Sequence, residues 1–373
     1  MNPGRGPLHG VRVLEFASLT PGPFACMLLS DLGADVVRID RPDPDPETNA
    51  AILTLSRGRR SICLDLKRAP DGDVALRLIE KADALVEGFR PGVMERLGLG
   101  PDLCLDRNPG LVYGRMTGWG QSGPRSHDAG HDINYIGLAG ALDPVGMAGE
   151  RPIPPGNMVG DLGGGGMVLA LGLVAALYER TKSGRGQVVD AAIVDGAAML
   201  TSGLLGLRHA GLSAGERGEN LADGGAPFYD TYRTSDGRYM AVGAVEPKFF
   251  AALLRTLGLS ATDLPDQLDR NGWPILRQVL QREFGSRTQA EWSAAFIGVD
   301  ACVTPVVRLG EAHRDPHNTA RGTFVHVDGL RQPAPVPRFS RSVTRVASGA
   351  PAPGEGALEA LRDWGLEGMD EIV

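Results

Sequence analysis

Three short stretches carry residues suited to moving a proton. The first is AGHDINY, residues 129–135, where His131 stands between Gly130 and Asp132. The residues before it are rich in Gly and Pro, the composition of a loop that can present a side chain into a cleft. Free imidazole titrates near neutrality, which suits general acid–base work. His127 lies close by in a more polar part of the loop; His131 is the stronger candidate because an apolar run, INYIGLAGAL, starts directly after it. A surface or capping histidine would leave the same trace. The second stretch is NMVGDLGGGGMVLALGL, residues 157–173, in which Asp161 precedes four glycines that open a very apolar helix. A helix-capping Asp fits that position. Each glycine, however, costs about 1 kcal/mol relative to Ala inside a helix. Four together therefore point to a place where a substrate approaches the backbone, near N–H groups that favour negative charge. The third is AVGAVEPKFF, residues 241–250, where Glu246 ends an apolar strand and Pro247 begins a helix. Such a carboxylate either faces the helix start or orients and charges an imidazole.

A fourth feature is basic: Arg38, Arg41, Arg57, Arg59, Arg60, Lys67, Arg90 and Arg96. Several fall at or just past strand ends, where open α/β sheets bind ligands. Arg and Lys suit phosphate groups, although solvated surface charges are spread in the same way.

The elements that would position these groups alternate. Strands are predicted at 11–16, 34–40, 61–66, 82–89 and 111–120, with helices at 21–33 and 71–82 between them. Strands separated by helices predict βαβ units and a parallel, Rossmann-like sheet. No GxGxxG follows the first strand, so a dinucleotide-redox reading is weak. Segment 43–50 reads as a polar surface loop. A long helix is predicted over 163–182, then a strand running into a helix over 186–209. Beyond about residue 215 the pattern changes: FYDTYRTSDGRYMAVGAV (228–245) is a hairpin around Ser-Asp-Gly, followed by helices near 247–257, 273–285 and 288–297. A strand is predicted at 323–327. The expected organisation is a large domain over 1–210, a small α+β domain over 225–315, and a C-terminal segment, 320–373, returning to the large domain.

Composition narrows the function classes. Net charge is −7, which argues against a general nucleic-acid or anionic-membrane binder. The four cysteines have no CxxC spacing, so neither a zinc site nor a disulfide framework is expected, and they read as reduced residues of a cytoplasmic protein. The most apolar window, 162–178, is interrupted by glycines and bounded by charge, and reads as a buried helix rather than a membrane span.

Taken together, several motifs resemble the class III CoA-transferase superfamily and, within it, the α-methylacyl-CoA racemase branch. They are LHGVRVLEFASLTPGPFACMLLSDLGADVVRIDRP, RGRRSICLDLK, GFRPGVMERLGLG, RMTGWGQSGP, GHDINY, VGDLGGGG, ALYERTKSGRGQVVDAAIVDG, DGGAPFYDTY and DACVTPV. The likeness extends over nearly the whole chain. Family transferases commonly carry an aromatic residue before the Asp of the GHD position; His131 there resembles the racemase pattern. The resemblance implies a Rossmann-like large domain, a small domain and an interlocked dimer in which Glu246 reaches His131 across the interface. It implies inversion of the α-carbon of a 2-methylacyl-CoA by His131, oriented by Glu246, and Asp161. Backbone N–H groups near Asp132 and Gly163–Gly166 would stabilise the enolate. CoA would be part of the substrate, with no metal or other cofactor. The substrate and CoA contacts implied are Arg38, Leu64, Asp65, Leu66, Lys67, Gly88, Phe89, Arg90, Arg96, Gly130, Asp132, Ile133, Asn134, Tyr135 and, for the acyl group, Tyr229. A transferase using Asp161 as nucleophile is the alternative.

Overall fold

The structure is a computed structural model that describes residues 6–43, 52–213 and 215–368. Most of the predicted 43–50 loop lies outside them. The chain divides into two compact units: unit 1 comprises 1–141, 155–201 and 319–373, and unit 2 comprises 142–154 and 202–318.

Unit 1 is built on β-branched runs that need both faces covered. Strands β1 (Arg12–Phe16), β2 (Asp35–Asp40), β3 (Arg59–Cys63), β4 (Ala84–Glu87), β5 (Val112–Thr117) and β6 (Gln187–Ala192) form one sheet in the order β3-β2-β1-β4-β5-β6. Every pairing is parallel, which demands crossover connections; β1 to β5 are largely buried, whereas the edge strand β6 is buried only at Ala191 and Ala192. The crossovers include α1 (Pro21–Asp31), α2 (Ala69–Lys81), α3 (Val93–Arg96), α4 (Pro101–Arg107) and α5 (Asp132–Leu138). Helix α1 begins with Pro in its first turn and is followed by Gly33 at φ +99°, a left-handed position that stops the helix.

Two expectations are adjusted. The third strand ends at Cys63, not at residue 66. Leu64 still donates to Asp40 O at 2.9 Å, but the Asp65 N–H turns to the Asp71 carboxylate at 2.8 Å, ending the ladder. The long helix starts earlier than 163. It runs from Gly156 to Ser183, with a π-helical stretch over Val159–Met167 before the regular α6 (Val168–Ser183). By length and composition this helix is apolar enough to cross a membrane. One face, Leu169, Ala170, Leu173, Ala176 and Leu177, is core. Met167, Leu171 and Tyr178, at 53%, 67% and 63% exposure, lie outward, so the expectation of a buried helix holds for one side only. Helices α7 (Ile193–Leu200) and α8 (Ser202–His209) follow β6.

The C-terminal segment is fastened to unit 1 by polar ties. The Arg57 guanidinium donates to Gln332 Oε1 at 3.1 Å and Pro333 O at 2.8 Å, and the Trp364 indole donates to Asp35 Oδ2 at 2.8 Å. Unit 2 holds the predicted hairpin as antiparallel β7 (Tyr229–Arg233) and β8 (Tyr239–Gly243), extended by β9 (Val303–Pro305). Its helices α9 (Pro247–Leu257), α10 (Trp273–Phe284) and α11 (Gln289–Ala295) close an aromatic core of Phe228, Tyr232, Trp273, Phe284 and Trp292.

Candidate active site

The sheet order dictates where a ligand can sit. Strand order reverses between β1 and β4, and open parallel sheets bind ligands beyond the carboxyl ends of the strands at such a point. The Ser18 hydroxyl lies there, against Gly22 and Gly88, and a Cβ on either glycine would crowd it. Ser18 Oγ is buried without a hydrogen-bond partner in the chain. The loop after β4 is pinned from below. Fully buried Glu87 accepts from Phe89 N–H at 2.7 Å and from Arg115 Nε at 2.8 Å, and Arg115 also holds Glu95 at 2.8 Å. Burial raises the Glu87 carboxyl above its ordinary range against the pull of Phe89 and Arg115. The fixed loop leaves Gly88, Arg90 and Arg96 exposed and Phe89 half-buried.

The basic residues separate into two groups. Arg38 is buried and donates to Asp40 Oδ2 at 2.8 Å. Arg57 pairs with Asp31 at 2.5 Å, Arg59 with Glu15 at zero exposure of both, and Arg60 with Asp35 at 2.7 Å. Arg57 and Arg59 are thus neither solvated nor free for phosphate: they are internal ion pairs that tie β3 and the residues before it to α1 and β1. Lys67, Arg90 and Arg96 are the exposed cations among the implied contacts. Leu64 is 1% exposed and packs in the core with Leu66 beside it, while Asp65 is half-buried and accepts from Lys67 N–H at 3.1 Å.

His131 immediately precedes α5 in extended conformation, φ −132° and ψ 176°. Its N–H donates to Asn134 Oδ1 at 3.0 Å, which fixes the turn and leaves the imidazole exposed. Tyr135 anchors the same turn from within. Its hydroxyl donates to Gly130 O, and its ring meets Trp119 edge-on at 4.7 Å. Asn134 and Tyr135 therefore build the loop that carries His131, and Ile133 is 44% exposed beside them.

Asp161 sits in the first turn of the π-helical stretch. Its N–H, one of the donors that a helix start leaves without an internal acceptor, is bound by Asp132 Oδ1 at 2.7 Å. Burial, and then the neighbouring Asp132 charge, raise the Asp161 carboxyl to about 6; a hydrogen bond from the Asn157 side chain and the nearby His131 imidazole pull it the other way. Burial, and then the Asp161 charge, raise the Tyr135 hydroxyl, which Arg90 opposes. His131, Asp132, Tyr135, Arg90 and Asp161 thus share one region of unit 1.

Three of the four glycines do something other than receive a substrate. A Cβ on Gly164 would strike the backbone of Gly196 and Ala197, one on Gly165 would crowd Ile193 and Pro21, and one on Gly166 would strike Pro21 O and Phe24. They let the π-helical stretch touch α7 and α1 closely. The expectation that Gly163–Gly166 line the substrate is corrected for Gly164, Gly165 and Gly166, which are buried against the protein's own chain.

The model of CoA-transferase family III matches residues 8–357. The chain belongs to that family. Similar relatives are the α-methylacyl-CoA racemase of Mus musculus, 48% identical over 98% of this chain and 95% of that one, and that of Homo sapiens, 44% identical over 96% and 94%. Among solved structures, a CAIB/BAIF family protein from Brucella suis superposes with a TM-score of 0.84 at 25% identity, covering 96% of this chain and all of that one. Within this family III chain, sequence reasoning passed over two residues that the geometry singles out. Asn157 lies four residues before Asp161, one helical turn away, a spacing that was readable. Glu87 had no sequence signal, because its role arises from a backbone N–H two residues on.

The remaining site residues expected of this family III chain lie in unit 2. Glu246 stands just before α9, exposed, and its side chain makes no capping hydrogen bond. Tyr229, 41% exposed, opens β7. It lines an open cavity of about 490 Å³ with Met147, Thr231, Val242, Gly243 and Cys302. Two carboxylates at its rim are already engaged: Asp230 pairs with Arg277, and Asp223 accepts from the N–H groups of Gly218 and Asn220.

Proposed function

We propose that the protein interconverts the two epimers of a 2-methyl-branched acyl-CoA thioester by moving the α-proton. The identity to the mouse and human racemases supports this reading. The observation that carries it is an imidazole at residue 131 within electrostatic reach of a carboxyl lifted to about 6. A single base tends to return a proton to the face it came from, whereas inversion is served by two groups flanking a planar carbon. At neutral pH a carboxyl with that affinity is present in both protonation states, so Asp161 can give or take a proton, with His131 in the complementary role. The enolate oxygen is served by the Asp132 N–H in the first turn of α5, where backbone donors lack an internal acceptor. Glu246 of the partner subunit in a homodimer orients the imidazole, and the cavity at Tyr229 takes the acyl group. Lys67, Arg90 and Arg96 hold the CoA phosphates. CoA enters with the substrate, and the scheme calls on no further cofactor.

The active form in this reading is a homodimer. Met167, Leu171 and Tyr178 are spaced i, i+4 and i+11 on one helix face and stand exposed, as a surface covered by a second copy would. Four free cysteines fit a reducing compartment such as the cytoplasm.

The test is one pure epimer of a 2-methylacyl-CoA in deuterated water. Deuterium should enter the α-position as the other epimer appears, and His131→Ala and Asp161→Ala should each lose most of the rate. Epimerisation with every α-hydrogen retained would eliminate the two-base scheme. An acyl adduct on Asp161, turning over only with an added acceptor acid, would assign CoA transfer instead.

A further inference from the structure

The Asp132 side chain carries more than its place in the loop requires. Its backbone opens α5, but its carboxylate leaves that helix and accepts the Asp161 N–H at 2.7 Å. The space is made for it by Gly160, where a Cβ would overlap both Asp132 Oδ1 and Ile136. Residue 131 thus presents the imidazole while residue 132 grips the backbone of the carboxyl opposite. One peptide links the two.

Resting on the acid–base pair described above, we propose that Asp132 is a positioning residue: its carboxylate fixes Asp161 against the His131 turn and keeps the Asp161 carboxyl able to hold a proton. The first part follows from the hydrogen bond. The second follows from burial first and from charge added to it, since two carboxylates sharing a site disfavour double ionisation. Among the described residues no other charge facing Asp161 does this. From its own segment Asn157 donates a hydrogen bond, and from the turn before α5 the His131 imidazole favours the charged form. Tyr135 faces it from α5 with Arg90 beyond. Helices α1 and α7 bring Pro21, Phe24, Ile193, Gly196 and Ala197 against the glycines, all without charge. Asp132 is the residue whose ionisation opposes that of Asp161, and a plain helix cap would not need the charge: an amide oxygen accepts an N–H equally well.

That difference supplies the test. Asp132→Asn keeps an acceptor for the Asp161 N–H and removes the charge. Gly160→Ala keeps both carboxyls and pushes them apart. The full-length protein is labelled with carbon-13 at the Asp carboxyls, the Asp161 signal being assigned by its loss in Asp161→Asn, and is titrated without substrate. In Asp132→Asn the Asp161 midpoint should fall by about one pH unit. The acid limb of kcat/KM for α-proton exchange should fall with it. Gly160→Ala should lower the same midpoint and reduce kcat more than it changes KM. A midpoint that stays within about 0.2 unit in folded Asp132→Asn, or in Gly160→Ala, overturns the inference. If the midpoint falls as expected while no thioester exchanges its α-proton, the positioning role stands and the racemase reading fails.

Discussion

Replacing Asp161 with Asn should make the protein more stable while abolishing its chemistry. The folded chain raises this carboxyl from 3.8 to about 6, so the native state holds the proton more tightly than the unfolded state does. Stability from this group is therefore complete below pH 3.8, is lost as pH rises through the interval to 6, and stays lost above it. At about 1.4 kcal/mol per pH unit, a shift of roughly two units is a ceiling of about 3 kcal/mol. Asp161 is only partly buried, and solvent screening reduces this to about 1–2 kcal/mol. Asn has the same shape and no charge to desolvate. For a unit of this size the gain corresponds to a rise in Tm of about 2–3 °C at pH 8. It should shrink steadily as pH is lowered and vanish near pH 4. The assay is thermal unfolding of the wild type and Asp161→Asn across that range, with circular dichroism as the readout. A variant no more stable than wild type at pH 8, or one whose gain is the same at every pH, would refute the argument that burial and Asp132 disfavour the charged form.

The packing of the glycine stretch makes a second prediction. Gly196→Ala would put a methyl group into Gly164 O, and neither backbone has a side chain to move aside. It should cost at least about 2–3 kcal/mol by overpacking, read as a lower urea midpoint, and should reduce α-proton exchange in whatever fraction remains folded. Arg59→Ala leaves Glu15 buried and unpaired. A loss of about 3–5 kcal/mol is expected, seen as poor soluble yield or a sharply lowered Tm, whereas replacing Arg59 and Glu15 together with Met and Gln should recover much of it.

The sheet was legible because each strand is a short β-branched run followed by an amphipathic helix. All six strands start within a residue or two of their predicted positions, and β3 ends at Cys63 rather than at residue 66 because SICLDL stays apolar after its hydrogen bonds end. The π-helical start near Asp161 was not legible: the pattern of GDLGGGG is compatible with a cap, a ligand cradle or a tight helix contact, and only the neighbouring α7 decides among them. For the same reason the sequence reads Gly164, Gly165 and Gly166 as a substrate cradle where they serve packing. That His131 and Asp161 are groups able to move a proton was readable from residue type and setting. What joins them was not, because Asp132 reads as a helix-start residue until the second helix is brought up to it. Charge was the least legible property: Arg57 and Arg59 look like any surface arginine in the sequence, and their acidic partners lie 26 and 44 positions away.

The contact of Gly164 with Gly196 bears on how far this scaffold can be redesigned. Where two main chains touch, there are no rotamers to adjust, so the depth at which the carboxyl of Asp161 is presented behaves as a fixed dimension of the scaffold. An engineer seeking activity on bulkier or slimmer acids gains nothing by mutating along that seam. Under the proposed acyl role of the cavity beside Tyr229, diversity is better introduced at Met147 and Thr231, which line it.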